Sequence, residues 1–211
     1  MNRRFMSFLS VAPVMAALFI SSFSTARAQS KEQPATAAVK NCGIKNFGEV
    51  NPEYYRGAQP EGSDYKALAG LGIKTVIDLE NDGDPKEESE VKAAGMTFFR
   101  LQMSDRAVPP AEEVSQFLSI VNEQANQPVF VHCHGGKHRT GALTAVYRMT
   151  HDGWTASRAF EEMKSYNFTH GFGHGSLKDF VFDYYSHLAQ QRSAAADFAA
   201  DNLSKEAVAN K

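Results

Sequence analysis

The chain has 211 residues, of which 43% are hydrophobic and 22% charged, with a formal net charge of −2 and two cysteines. This length and apolar content suit one domain with a sizeable core. The small excess of acidic residues excludes a broad basic surface, so nucleic acid is not an expected partner.

The first 28 residues have the pattern of an export signal. Arg3 and Arg4 precede an uncharged, largely apolar run over residues 5–26, and an Ala-Arg-Ala sequence ends at Ala28. This pattern predicts a signal peptide over 1–28, cleaved after Ala28, that directs the protein to a bacterial periplasm or outside the cell. An uncleaved anchor is the alternative. Because a proline and several serines weaken a spanning helix, no stable membrane insertion is expected after cleavage.

The remaining chain divides by composition into three segments. Residues 29–44 are predicted to be a flexible leader because their first part is polar and rich in alanine. The folded catalytic domain is predicted over 45–191. Residues 192–211, rich in alanine with scattered charges, are predicted to be a C-terminal helix or a disordered tail.

Apolar periodicity and turn residues predict alternating helices and strands between these limits. In chain order, the predicted elements are a helix capped by Ser63 that ends at Gly70 or Gly72, a strand over 73–79, a helix over 85–94, a strand over 97–103, a helix over 112–122, a strand over 128–131, and helices over 140–153, 155–166 and 177–190, the last with Ser176 and Asp179 as a capping box. The alternation predicts an α/β fold, a single small domain whose mostly parallel central sheet is flanked by helices.

The most informative segment is the loop over residues 132–141, which reads His-Cys-His-Gly-Gly-Lys-His-Arg-Thr-Gly. It lies between a predicted strand and a predicted helix, a geometry in which successive backbone N–H groups converge on an anion. The two glycines allow the backbone to turn sharply and to approach a ligand closely. The segment therefore predicts a phosphate-binding loop at the carboxyl end of a strand, where such sheets bind ligands.

Four side chains of this loop have expected roles in a two-step phosphoryl transfer. Cys133, at a helix start beside an arginine, is expected to be ionised and to act as the nucleophile. Its attack on phosphorus forms a phosphocysteine that water then hydrolyses. Arg139 presents a planar fork that can hold two phosphate oxygens. The Thr140 hydroxyl is expected to hydrogen-bond the sulfur in the second step, and His132 to orient the loop through its ring nitrogens.

The leaving oxygen needs a proton, which a group on another segment must supply. Asp105 is the first candidate because it follows a predicted strand in a loop stiffened by prolines. The alternative role for Asp105 is to form a turn. Asp82 and Asp84 are reserve candidates, although Asp84 also fits a helix start, and Asp78 is expected to be structural.

The loop sequence resembles the signature loop of the cysteine-dependent protein tyrosine phosphatase superfamily. Its second half is similar to that of the plant and fungal atypical dual-specificity phosphatases, some of which cleave diphosphoinositol polyphosphates. Residues 55–60 and 72–79 also resemble the opening elements of that catalytic domain. The resemblance implies that Cys133 is the nucleophile, Arg139 the phosphate-binding arginine and Asp105 the acid, that no metal or cofactor is needed, and that the phosphate cradle consists of His134, Gly135, Gly136, Lys137, His138 and Arg139.

The expected function is therefore hydrolysis of phosphate monoesters, with phosphorylated proteins as the first substrate class. Inositol polyphosphates or diphosphoinositol phosphates are the alternative. Lys137 and His138 either add positive charge for such a substrate or point outward into solvent.

Three rival chemistries are weaker. A metal site built from His132, His134 and His138 lacks carboxylate partners, and His170 and His174 are expected to be loop residues near the substrate entrance. Sulfur transfer or arsenate reduction needs a resolving thiol. A phosphate-binding module without catalytic activity would not need both the cysteine and the acid. Cys42, the only other thiol, is either a small residue near the start of the domain or the partner of Cys133 in a regulatory disulfide.

Overall fold

The computed structural model describes residues 43–169, 171 and 173–209. The predicted signal peptide, the leader up to Cys42, and His170 lie outside the described residues. Both alternatives for Cys42, a small residue at the start of the domain or a disulfide partner of Cys133, therefore lie outside them too. Of the leader, Gly43 and Ile44 are described, and Ile44 is buried. None of the helices formed by the described residues is long and apolar enough to cross a membrane.

A five-stranded sheet positions the predicted phosphate-binding loop. Its strands are β1 (Gly48–Asn51), β2 (Tyr54–Ala58), β3 (Thr75–Glu80), β4 (Thr97–Met103) and β5 (Val129–Cys133). They lie in the order β1-β2-β5-β3-β4, and every neighbouring pair except β1 and β2 is parallel. The predicted α/β fold with a mostly parallel sheet is therefore confirmed. The sequence interpretation missed β1 and β2, which are four and five residues long.

The helices of the described residues are α1 (Asp64–Gly70), α2 (Glu87–Ala93), α3 (Ala111–Asn122), α4 (Arg139–His151), α5 (Ala156–Ser165) and α6 (Gly175–Ala209). Two predicted caps are wrong. The Ser63 side chain makes no capping hydrogen bond at α1. Helix α6 starts at Gly175, and the Ser176 hydroxyl donates to the carbonyl of Arg106 instead, because a tertiary acceptor lies within 2.6 Å.

Two hydrophobic clusters cover the two faces of the sheet. Because side chains alternate along a strand, Val129 and Val131 of β5 face one cluster and Phe130 faces the other. Helices α3, α4, α5 and α6 contribute to the first cluster, while α1 and α2 contribute to the second. Strand β5 is buried at all five positions, so the residue at its carboxyl end, Cys133, is held by the centre of the sheet.

Candidate active site

One pocket of about 260 Å³ contains most of the residues that the sequence predicted to act together. It is lined by Asp105, Cys133, His134, Gly135, Lys137, His138, Arg139 and His174. Cys133 is a free cysteine with only 3% of its surface exposed. The structure thus brings the predicted nucleophile, phosphate-binding arginine and acid to one pocket, although they come from β5, α4 and the loop after β4.

Hydrogen bonds hold the carbonyl groups of residues 133–136, three of them from other parts of the chain and the one to Cys133 from within the loop. Asn46 Nδ2 donates to the Gly135 carbonyl at 2.7 Å, and Arg56 Nη2 donates to the Gly136 carbonyl at 2.7 Å. The carbonyls of His134 and Cys133 accept from the backbone N–H groups of Gln59 and Gly136. A peptide whose carbonyl is fixed on one side turns its N–H to the other. These contacts therefore favour N–H groups that face a bound anion.

Gly136 lies beneath the pocket and does not line it. Its φ angle of +63° is in the left-handed region, and a Cβ atom at this position would overlap the backbone of Gly57 and Ala58. The neighbouring Gly135 has no such constraint, because the nearest atom to its Cβ position is a side-chain carbon of Lys137 at 3.7 Å. Only one glycine of the pair is thus required by the backbone.

The amino end of α4 and its first residue supply positive charge to the pocket. Helix α4 has no side-chain cap at His138, so its first N–H groups are available to an anion. Arg139 is 6% exposed, and its guanidinium is held by the Met103 carbonyl at 3.2 Å and by Glu80 Oε2 at 3.3 Å. Burial raises the pKa of the Glu80 carboxyl, and Arg139 opposes that shift.

The predicted hydrogen bond from Thr140 to the Cys133 sulfur is not formed. Thr140 is fully buried on the first turn of α4, and its hydroxyl has no hydrogen-bond partner among the described residues. Thr140 does not line the pocket.

The loop that carries Asp105 is attached to the start of α6. The side chain of Asp105 is half exposed, and its nearest ion-pair partner is Arg106 at 3.8 Å. Nδ1 of His174 lies 2.9 Å from the Asp105 carbonyl oxygen, and the Ser176 hydroxyl donates to the Arg106 carbonyl. His174 and the start of α6 therefore contact two successive carbonyl groups, those of Asp105 and Arg106.

His138 packs between His174 and Phe168 in the pocket wall. Its ring is stacked on that of His174, with centroids 3.7 Å apart, and meets Phe168 edge-on. Burial lowers the pKa of His138 to about 4, and the neighbouring His174 acts in the same direction. His138 is therefore neutral at pH 7 and adds no positive charge to the cradle. Lys137 remains as the loop's second cation beside Arg139.

His132 faces buried carboxylates beneath the loop. Its Nε2 atom lies 2.8 Å from Glu87 Oε1, and its Nδ1 atom lies 4.0 Å from Asp78 Oδ1. Burial works to raise the pKa of Glu87, but its contacts with His132 and with Arg100 bring the pKa below the ordinary value. His132 therefore lies close to these buried carboxylates, although neither ring nitrogen makes a hydrogen bond within the described residues.

The three histidines of the rival metal site are not brought together. His132 is in the core, whereas His134 and His138 line the pocket. In the part of the chain that the structure describes, Asp78, Glu80 and His132 form a potential ligand cluster. Its two carboxylates already face Arg100 and Arg139 at 2.6 and 3.3 Å. Their charges are therefore balanced within the protein.

The other candidate acids differ in their contacts and in their distance from the pocket. Asp82 lies 3.7 Å from Arg139 Nη1 and, with Asp105, lines a second cavity of about 470 Å³ beside the pocket. Asp84 instead accepts a hydrogen bond from the Lys86 backbone at the start of α2, as a helix-start residue does. Asp78 is buried and paired with Arg100, so its expected structural role agrees with its contacts.

Sequence reasoning missed the residues that hold the loop from outside it. Asn46, Arg56 and Gln59 are 89, 80 and 75 residues from their partners in the loop. Arg56 and Gln59 lie in the segment 55–60, which resembles the opening elements of the phosphatase domain, whereas no sequence signal pointed to Asn46. The resemblance indicated the family without showing what these residues contact.

The sheet order and the cysteine–arginine loop at the carboxyl end of β5 define a member of the dual-specificity phosphatase superfamily. Residues 29–179 match the family described as a DSP-PTPase phosphatase fused to NAD+ kinase. The chain belongs to this family.

Individual proteins of known name are similar to the same region. Inositol diphosphatase SIW14 of Saccharomyces cerevisiae is 31% identical over 130 residues, which cover 59% of this chain and 46% of that protein. Dual specificity protein phosphatase TpbA of Pseudomonas aeruginosa is 30% identical over 119 residues, covering 56% of this chain and 53% of that protein. The chain thus spans about half the length of these relatives.

A solved structure extends the similarity to three dimensions. The core catalytic domain of SIW14 from S. cerevisiae, crystallised in complex with citrate, has a TM-score of 0.61 and 26% identity. The similarity covers 73% of this chain and 94% of that domain.

Proposed function

We propose that this protein is a cysteine-dependent phosphatase that hydrolyses phosphate monoesters through a phosphocysteine on Cys133. The observation that carries the proposal is the pocket in which Cys133, Arg139 and Asp105 meet above a loop whose carbonyl groups are tied down from outside. Such a loop presents N–H groups and one guanidinium to a dianion and leaves a sulfur at its base.

The reaction proceeds in two displacements. In the first, the Cys133 sulfur forms a bond to phosphorus while the bond to the leaving oxygen breaks, and the Asp105 carboxyl gives that oxygen a proton. In the second, water attacks phosphorus, its proton returns to the Asp105 carboxylate, and the thiolate leaves with inorganic phosphate released. Thr140 is proposed to donate to the departing sulfur, which requires its unpartnered hydroxyl to turn toward the loop.

The N–H groups of residues 134, 135 and 137–139 and the Arg139 guanidinium are proposed to hold the transferring phosphoryl group, while the Gly136 N–H donates to the Cys133 carbonyl. Arg139 enters this role already oriented, because Glu80 and the Met103 carbonyl fix its guanidinium from behind. A preoriented cation loses little freedom when the phosphate binds. The buried Glu80 also limits how much uncompensated positive charge the empty site carries.

Phosphorylated proteins are the proposed substrate class. The cavity beside the pocket contains Glu80, Asp82 and Asp105, and carboxylates there disfavour a substrate with several further phosphates. TpbA is named a dual specificity protein phosphatase. The second candidate is an inositol polyphosphate or diphosphate, which Lys137 in the pocket and the similarity to an inositol diphosphatase favour.

Rates on matched substrates separate these two candidates. Phosphotyrosine peptides and inositol pyrophosphates should be compared by kcat/KM at equal ionic strength. The proposal expects the peptides to be hydrolysed faster, and Lys137→Ala to change their kcat/KM by less than about tenfold, since one solvent-accessible charge contributes modestly. A preference for the pyrophosphate that Lys137→Ala abolishes would support the second candidate.

We also propose that residues 1–28 are removed on export to the periplasm or outside the cell. The support is the sequence pattern of two arginines, an apolar run and Ala-Arg-Ala. N-terminal sequencing of protein from the periplasmic fraction should find Gln29 as the first residue. An N-terminus at Met1 in the membrane fraction would favour the anchor.

The covalent step is tested by rapid denaturation during turnover. Labelled aryl phosphate should leave one equivalent of label on the peptide that contains Cys133. Label on any other residue would contradict the proposed intermediate. An initial burst of the phenol product in Cys133→Ala, as large as that of the wild type, would contradict it as well.

A further inference from the structure

Arg56 carries a buried positive charge that forms no ion pair with a carboxylate of the described residues. The side chain is 0% exposed, and its Nε and Nη1 atoms have no hydrogen-bond partner in the part of the chain that the structure describes. By contrast, the other buried arginine of the site, Arg139, faces Glu80. A fully buried guanidinium with unpaired N–H groups is costly unless another charge balances it.

The contacts of Arg56 direct it at the underside of the phosphate-binding loop. Its Nη2 atom donates to the Gly136 carbonyl at 2.7 Å, and the ring of Tyr166 lies over the guanidinium at 3.9 Å. Tyr166 can lie there only because residue 48 is a glycine, since a Cβ atom at Gly48 would overlap the tyrosine ring. Strand β2 places Ala58, two residues beyond Arg56, beside Cys133 of β5.

The charges around Arg56 identify what can balance it. Burial lowers the pKa of Arg56, and the groups that oppose this shift are Tyr54, Tyr166, Glu162 and Cys133. Burial raises the pKa of Tyr54, so this phenol is neutral at pH 7. Glu162 is held by Arg148, with its nearest contact at 2.6 Å.

We propose that Arg56 is a positioning residue of the phosphate-binding loop whose buried charge is balanced by the Cys133 thiolate in the free enzyme and by the phosphoryl group when substrate is bound. Arg56 stabilises both anions through the loop without touching either. The inference rests on the proposed function, because it assigns these anions to the same site. The inference identifies Arg56 as a residue outside the loop that helps to keep the Cys133 sulfur ionised.

A purely structural role makes a different prediction. If Arg56 only tied down the Gly136 carbonyl, it would act as Asn46 does at the neighbouring Gly135 carbonyl. Asn46 is neutral, and its Nδ2 atom donates a hydrogen bond of the same length, so it provides a neutral control; its Oδ1 atom also accepts from Asn167. Charge balance should affect the ionisation of the thiol, whereas loss of one carbonyl contact should affect loop order alone.

The test measures the rate of alkylation of Cys133 by iodoacetamide as a function of pH, in full-length protein with Cys42→Ser so that one thiol reports. Protection by inorganic phosphate in the same assay gives its affinity. Arg56→Gln removes the charge and keeps an N–H donor, Arg56→Lys keeps the charge, and Asn46→Ala removes the neutral contact.

The proposal expects Arg56→Gln to raise the pH midpoint of alkylation by about one unit and to weaken phosphate binding about tenfold. Arg56→Lys should keep the midpoint close to that of the wild type, and Asn46→Ala should weaken phosphate binding without moving the midpoint. An unchanged midpoint in Arg56→Gln, or an equal rise in Asn46→Ala, overturns the proposal.

If Arg56→Gln does not fold, Arg56→Lys provides the test. A rise of a full pH unit in its alkylation midpoint, with the positive charge retained, contradicts charge balance. Failure of the proposed function would show differently. Cys133→Ser would then still release phosphate, whereas failure of the Arg56 proposal leaves that variant inactive.

Discussion

The ring of His174, just before α6, lies flat on the ring of His138 in the phosphate-binding loop, with an angle of 10° between their planes. The same His174 reaches the backbone of Asp105 through its Nδ1 atom. One side chain thus connects the loop that holds phosphate, the loop that carries the candidate acid, and the start of the C-terminal helix. Their relative positions depend on α6 although α6 supplies no reacting group.

Stability should fall as the pH is lowered from about 6.5 toward 4. The pKa of His138 is about 4 in the folded protein because the ring is buried beside His174, whereas an unfolded histidine titrates near 6.5. Between these values the unfolded chain binds more protons, so the folded state loses stability as the pH falls and has its full stability above the unfolded pKa. Urea unfolding between pH 7.5 and 5 measures this slope.

The variant His138→Asn should flatten that slope. His187→Asn, which replaces an exposed histidine of α6, serves as the control and should retain it. Equal slopes in wild type and His138→Asn would show that another group causes the pH dependence.

Replacing Asp105 by asparagine should affect substrates according to their leaving groups. A general acid contributes about 10²- to 10⁴-fold where the leaving oxygen needs a proton. We therefore expect a loss of kcat of at least about 100-fold on alkyl phosphates and of less than about 10-fold on activated aryl phosphates. Steady-state rates on a series of esters measure the difference.

Asp82→Asn is the matched control for this series, because Asp82 lines the neighbouring cavity and is close to Arg139. It should show no dependence on the leaving group. If Asp82→Asn shows the larger selective loss, Asp82 is the acid and Asp105 is not.

Gly136→Ala should destabilise the protein by about 1–3 kcal/mol and weaken phosphate binding. The added methyl group meets the backbone of Gly57, and φ is +63° at this position. Gly135→Ala, whose Cβ would make only an ordinary van der Waals contact with the Lys137 side chain, should change the free energy of unfolding far less. Urea unfolding with and without inorganic phosphate compares the two, and similar effects at both positions would refute the distinction.

Much of the candidate site was predictable because its members are close in sequence. Cys133 is the last residue of β5 and Arg139 the first residue of α4, six residues further on. The short loop between them brings both side chains to one pocket. Asp105 was predictable as a loop residue after a parallel strand, since the carboxyl ends of parallel strands share one edge of the sheet.

The contacts made over long sequence distances could not be predicted. Nothing local distinguishes a buried Arg56 from a surface arginine, and its partner Gly136 is 80 residues away. Ser176 matches a capping pattern, but its hydroxyl donates a hydrogen bond to the Arg106 carbonyl instead. The sequence left open whether His138 adds charge to the cradle or points into solvent, and the structure instead packs it against His174 and lowers its pKa. Tertiary contacts decide each of these cases.

The most direct measurement is the release of inorganic phosphate by Cys133→Ser compared with the wild type, using purified protein and a phosphotyrosine peptide. The substitution keeps the size of the side chain and removes the sulfur nucleophile. The account predicts that phosphate release falls to the level of the blank while inorganic phosphate still binds. Release at the wild-type rate would contradict it.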